Sequence, residues 1–308
     1  MAWTMLRGRA MSPWHSGFRR AVRSIDCSRH SCSIVLLSIV TSVVSARTAV
    51  AEEGIVAASP TTEAATATRR SSHALGFHVG VRADSVRDDM MVPLGHSGGG
   101  FRFGLDYRGQ VGPGLLIGHL EGGLRILSDV YGDLGLGVDW GFDLAWLGRL
   151  YDGPPARVYL GPIFVFDSMM DFFVYWDDSH GYWLGSQWLG PSLRVVAPIG
   201  RRWRVEATAA VSLIGAQGRP PGERLVKQEA VTSPGWWLSQ PARREQFALP
   251  NEFEAVRLAL DFRRAPLDAS DATGGWTWSI DFRMRRSTVP AEILDLGACV
   301  YASRMWGL

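Results

Sequence analysis

Lysine is almost missing from this 308-residue chain: Lys227 stands alone, and arginine carries the rest of the positive charge. That bias reads as genome composition rather than chemistry. No Lys/Arg-rich run interrupts the body of the chain, which argues against a nucleic-acid partner. Cysteine is as scarce, with Cys27, Cys32 and Cys299 only. Long apolar runs are missing too. The longest, Ser33–Val44, is about 12 residues, short of the roughly 20 that a spanning helix needs. Metal-ligand spacings, phosphate loops and nucleotide fingerprints are also absent, so neither a metal nor a cofactor is expected. Glycine and tryptophan are abundant instead, with 35 Gly and 13 Trp. That is an unusual profile for a soluble enzyme.

Charge is unevenly placed. Residues 1–51 hold seven arginines (7, 9, 19, 20, 23, 29 and 47) against one acid, Asp26. The remainder has 25 basic and 29 acidic residues, a mildly acidic body with a net charge of −4. Arg19, Arg20, Arg23 and Arg29 precede the apolar run, and Ala49-Val50-Ala51 follows it just before Glu52-Glu53. A basic region, a short apolar region and a small-x-small site make a Sec-type signal peptide over 1–51. The alternative is a single membrane anchor, and the long basic region leaves Met11 as a second start. Cys32 lacks the small apolar residues of a lipobox. Cys27 and Cys32 leave with the leader, so no disulfide forms within one mature chain. Residues 52–72 are small, polar and aperiodic, a flexible periplasmic lead-in.

From His73 onward the apolar residues alternate with period two. Phe77, Val79 and Val81 alternate with His78, Gly80 and Arg82. Phe101, Phe103 and Leu105 alternate with Arg102, Gly104 and Asp106. Leu134 to Trp146, Trp203 to Leu213, Val256 to Phe262 and Trp276 to Met284 repeat the pattern. One face is apolar and the other is Gly or charged. Many of these runs reach ten residues, longer than the roughly 5–6 usual in soluble sheets, and suit a tilted membrane crossing of about 9–11 residues. Lipid outside and a polar lumen inside account for both faces. Closure satisfies every backbone polar group in lipid.

The expected fold is therefore all-β: an antiparallel up-and-down transmembrane β-barrel over 73–308, with about ten strands (range 8–12). The strands fall at 73–84, 99–109, 115–127, 132–146, 157–167, 182–197, 202–215, 252–264, 276–286 and 293–308. An even number puts both termini in the periplasm and the longest connection, 216–251, outside. Trp146, Trp203, Trp276 and Trp306 then fall near periplasmic strand ends, and Tyr182 and Trp183 near an outer end, as aromatic girdles do. The rival is a secreted soluble β-sandwich or lipocalin-like barrel with the apolar face inside.

The last strand, LGACVYASRMWGL, resembles the C-terminal strand of the outer-membrane β-barrels. Leu308 stands at the usual terminal Phe, and Arg304 interrupts the apolar row. The resemblance covers roughly 73–308. It implies the outer membrane of a Gram-negative bacterium, with outer-membrane lipid and the barrel assembly machinery as partners.

Three regions could carry function. The first is an inward charged cluster. Extrapolation from the turns sets Asp106 opposite His119, Glu121 opposite Asp139, and Asp143 near His119. A histidine between carboxylates can act as base or relay, and paired Arg and Asp/Glu equally serve as lumen filling. The second is the outer loop at 168–181, where Asp177, Asp178, Ser179 and His180 sit among aromatics. Asp178 and His180 share a face and resemble half of the omptin protease site, though in a different loop. Asp88 and Asp89 in the first outer loop are the available acidic pair. That resemblance implies a surface protease. Ser179 leaves lipid-ester hydrolysis as a parallel reading. The third is the 216–251 loop with Trp236-Trp237, a contact for lipid, sugar or protein. Two functions follow: a structural, binding or narrow-channel barrel, or a surface-facing hydrolase using Asp178 and His180.

Overall fold

The computed structural model describes residues 73–89, 92–153, 156–173, 180–200, 202–218, 245–248, 252–264, 275–288 and 292–308. All its elements are strands: β1 (His73–Asp88), β2 (Val92–Val111), β3 (Gly114–Ser128), β4 (Leu134–Gly153), β5 (Ala156–Phe173), β6 (His180–Ile199), β7 (Trp203–Val211), β8 (Ile214–Gly218), β9 (Glu245–Ala248), β10 (Phe253–Arg264), β11 (Gly275–Ser287) and β12 (Ile293–Gly307). They form one antiparallel sheet, and the β5–β6 and β1–β12 pairings close it. β7 and β8 are one stave interrupted at Ser212-Leu213, where Ser212 N–H donates to the Ala255 carbonyl and Leu213 N–H to the Leu189 carbonyl. β9 lies beside β8 at the rim. The barrel thus has ten staves, each overlapping one of the ten expected from period two.

Several staves run further than the alternation suggested. The expected outer loop 85–98 shrinks to 89–91, because β1 continues to Asp88 and β2 starts at Val92. Gly and Pro make Val92–Gly98 a poor strand by propensity. Ladder partners override that: Asp84 faces Gly98 and Val86 faces His96. Similarly, β4 continues to Gly153 and β6 opens at His180. Chain reversal at one end uses glycines in the left-handed region, with Gly112 at φ 58° between β2 and β3 and Gly200 at φ 65° between β6 and β7. This end, where β1 begins and β12 ends, is called the terminal end; the other is the distal end.

The apolar face points outward. Phe77 is 47% exposed, Phe101 64%, Ile280 50% and Val300 50%. Trp140, Phe142, Phe164 and Phe166 pack as an aromatic ladder on this outer surface, with ring centroids 4.8–5.6 Å apart. The charged face is buried inside: Arg102, Asp106, Arg125, Asp143, Arg194 and Asp281 are all buried. A lipocalin-like barrel would invert these faces. Two aromatics depart from the expected outer girdle. Tyr182 follows the inward parity of β6 and is buried, and Trp183 is fully covered.

Inward glycines make room for the charges. A Cβ on Gly137 would lie 2.1 Å from Asp171 Oδ1 and 2.7 Å from Arg125 Cγ. One on Gly123 would lie 2.5 Å from Asp139 Oδ1 and 2.9 Å from Arg82 Nη1. Gly137→Val is expected to destabilise the barrel by about 1–3 kcal/mol through overpacking. The urea midpoint for loss of the heat-modifiable gel shift reads this directly. An unchanged midpoint would show that the lumen yields there.

Candidate functional site: the charged lumen

Period two turns alternate side chains into the lumen, where charges are interspersed with glycines and with a buried apolar cluster that includes Leu115, Leu147, Tyr159, Ile163 and Trp188, and the barrel wall brings the charges together in tiers. At the distal end, the Tyr182 hydroxyl donates to Asp88 Oδ2 at 3.1 Å, and Gln217 donates to Ser287 Oγ at 2.5 Å. Val86, Met169, Leu184 and Ile293 pack around Tyr182. Below them, Arg125 holds Asp171 in a two-pronged pair, 2.9 Å from Nε and 2.7 Å from Nη2. Arg285 binds Asp295 through Nε at 2.8 Å and Ser186 Oγ through Nη1 at 2.8 Å.

The middle tier spans the lumen. Arg283 donates to Glu121 Oε2 at 2.8 Å and to Asp281 Oδ2 at 3.0 Å. Arg257 reaches Asp143 on the opposite wall and Asp281 at 3.3 Å. Arg82 bonds Asp84 at 2.6 Å and pairs with Asp139. Arg102 lies 3.5 Å from Glu121. Such pairing is what makes buried charge tolerable. The central void, bordered by Arg82, Arg102, Arg125, Arg257, Arg283 and Arg285, is about 40 Å³. At roughly 10–15 Å³ per water, this is room for a few waters.

A histidine tier follows. His78 Nδ1 and His119 Nδ1 both contact Asp106 Oδ1, at 2.8 and 2.7 Å. The Tyr301 ring is 5.0 Å from the His78 ring. Gly104 allows this approach, since a Cβ there would sit 2.7 Å from His78 Cε1. Near the terminal end, Glu206 is ringed by arginine. Arg108 donates to it at 2.6 Å, and Arg194 bonds the same oxygen. Arg204 lies 2.7 Å away and Arg263 3.9 Å. Asp261 shares Arg108 and Arg194 at 3.4 and 3.6 Å.

A closed ten-stave sheet with an apolar exterior and an ion-paired lumen decides the fold. It is that of an outer-membrane β-barrel. No protein-family model and no curated protein matches the sequence. Among solved structures, the chain is similar to the outer membrane protease OmpT from Escherichia coli (8% identity, 77% of this chain and 96% of that chain, TM-score 0.45). It is also similar to the translocator domain of the autotransporter NalP from Neisseria meningitidis (10% identity, 75% and 88%, TM-score 0.36). A third is the β-domain of the Bordetella autotransporter BrkA (11% identity, 76% and 99%, TM-score 0.34).

The barrel brings together some of the residues expected to carry chemistry. Asp106 pairs with His119, and His119 with Asp143, as extrapolated from the turns. Glu121, however, faces Gly141, and Asp139 faces Gly123, a shift of two from the expected Glu121–Asp139 pair. The β3–β4 turn centres on Tyr131, one residue later than expected, which moves the pairing by two; the ladder opens with Ser128 against Leu134. Asp88 is in β1 and fully buried, whereas Asp89 is exposed and pairs with Arg87 at 3.0 Å. The two do not form one acidic pair. His180 opens β6 opposite Phe173. The His180 side chain, Asp178, Ser179, Trp236 and Trp237 lie outside the described residues. His78 and the Glu206 ring escaped sequence reasoning. Their inward parity was visible, but their partners sit on staves far away in sequence.

Proposed function

We propose that this chain is an exported outer-membrane barrel with a filled lumen, a structural or binding protein rather than a wide pore. The observation that carries this reading is the cross-lumen tier, in which Arg257–Asp143 and Arg283–Glu121 tie opposite walls together. Ten staves enclose little free space once side chains fill them. In this reading, residues 1–51 are the signal peptide and 52–72 the lead-in. The terminal end faces the periplasm of a Gram-negative cell, and the distal end faces outward. The strand ending at Leu308 is offered to the assembly machinery.

Planar-bilayer recording tests the reading. The purified, heat-modifiable barrel is expected to give no stepwise conductance. Removing both partners of a cross-lumen pair, Arg283→Ala with Glu121→Ala, is expected to create steps by enlarging the central void. Porin-sized steps from the unaltered barrel would overturn the filled-lumen reading, and small regular steps would make it a narrow channel. Hydrolysis of peptides or lipid esters that disappears in His180→Ala would assign the distal rim to a hydrolase instead.

A further inference from the structure

The outward face is apolar along most of each stave, and its charges sit near the ends. Two of its arginines have carboxylate partners: Arg87 with Asp89 and Arg286 with Glu292. Arg264 and Arg304, at the terminal end, have none among the described residues, and both are exposed.

Their setting is regular. Arg264 pairs with Trp203 across β7–β10, Arg304 pairs with Trp276 across β11–β12, and Arg304 faces Phe77 across β12–β1. Arg263 pairs with Thr277, so the next rung places Arg264 beside Trp276. Reading around the wall gives Trp203, Arg264, Trp276, Arg304 and Phe77 on successive staves. The Arg304 guanidinium carbon stands 5.5 Å from the Trp276 ring centroid. Trp203 is 39% exposed and Trp276 49%, so the row is open to whatever surrounds the barrel.

We propose that Arg264 and Arg304, set about Trp276, bind the phosphodiester of an anionic glycerophospholipid in the periplasmic leaflet. Charge and shape both match that occupant. Two guanidiniums with no carboxylate partner among the described residues complement a phosphate, which arginine binds in forked geometry. The indole rings suit the interface. Beyond them Leu260, Ile280 and Val300 pair on successive staves of the same face, an apolar row suited to acyl chains. Electrostatic capture of a headgroup is worth roughly fivefold in affinity per arginine near the surface. The proposal rests on the reading that this face meets lipid.

Native mass spectrometry of the folded barrel, released from neutral detergent, tests it with phosphatidylglycerol and phosphatidylcholine as competing probes. The unaltered barrel is expected to retain phosphatidylglycerol preferentially. Arg264→Gln with Arg304→Gln is expected to abolish the preference, each single change lowering it by about fivefold. Arg87→Gln with Arg286→Gln, at the distal end, should leave it intact. Equal retention by the terminal-end double variant, or loss in the distal-end control, would overturn the site. So would displacement of the lipid by millimolar inorganic phosphate, which would make this a general anion site. The heat-modifiable gel shift confirms that every variant is folded. A barrel that stays folded in detergent and shows no lipid preference sinks the site and leaves the membrane reading standing. A barrel that stays dispersed in buffer without detergent sinks both.

Discussion

Glu206→Ala is expected to lower barrel stability by roughly 3–5 kcal/mol, the usual penalty for removing one partner from a buried ionic group. Glu206 is fully enclosed, and it is the carboxylate on which Arg108, Arg194, Arg204 and Arg263 converge. Without it, Asp261 remains the only carboxylate shared by Arg108 and Arg194 among the described residues, at 3.4 and 3.6 Å. The guanidiniums would then repel one another in a space with little water to screen them. Glu206→Gln keeps the shape and loses the charge, so it should be nearly as harmful. Arg263→Met removes one of the crowded positive charges and should be close to neutral or stabilising. The urea dependence of the gel shift measures all three. A Glu206→Ala barrel with an unchanged midpoint would mean that the arginines are held apart by something other than this carboxylate.

Ile280→Arg is expected to cost about 2–4 kcal/mol in a lipid bilayer, as for arginine at the midplane of a membrane barrel. Ile280 is half exposed, lies mid-stave in β11, and faces Leu260 and Val300 on the neighbouring staves. In water the same change would be nearly free and would improve solubility. The experiment therefore measures which solvent the outer face meets. Comparing refolding into vesicles for Ile280→Arg and for Arg286→Ile, an outward position at the distal end, gives the contrast. If Ile280→Arg refolds with unchanged stability, the apolar face does not contact hydrocarbon.

The barrel was legible in the sequence because period two is a local property. Phe101-Arg102-Phe103-Gly104-Leu105-Asp106 states its two faces within six residues. Stave ends were less legible. At Val92–Gly98 the local composition favours a loop, while hydrogen-bond demand from β1 holds it as strand. The near-neighbour pair Asp106–His119 could be found by counting back from the Gly112-Pro113 turn, because adjacent staves share a register. Glu121 and Asp139 failed the same count because the next turn centres one residue later, at Tyr131, which shifts the pairing by two. Contacts across the lumen had no such ruler. Arg108 and Glu206 are 98 residues apart, and closure alone makes them neighbours. Outward Arg304 stood out as an interruption of an apolar row, but its relation to Arg264 required the ladder of pairings between β10, β11 and β12.

The cross-lumen pairs also set an order of events during assembly. Arg257–Asp143 joins residues 114 apart and Arg283–Glu121 joins residues 162 apart. No hairpin can form them. They wait until staves from both halves of the chain stand face to face, which makes them late and entropically demanding contacts. Until the β1–β12 seam zips, these charges keep their hydration shells, and the half-built sheet is a wet, open trough. Dehydration of the lumen is then the closing step, and a variant that weakens the central pairs should slow maturation at that step while leaving hairpin formation at its ordinary pace.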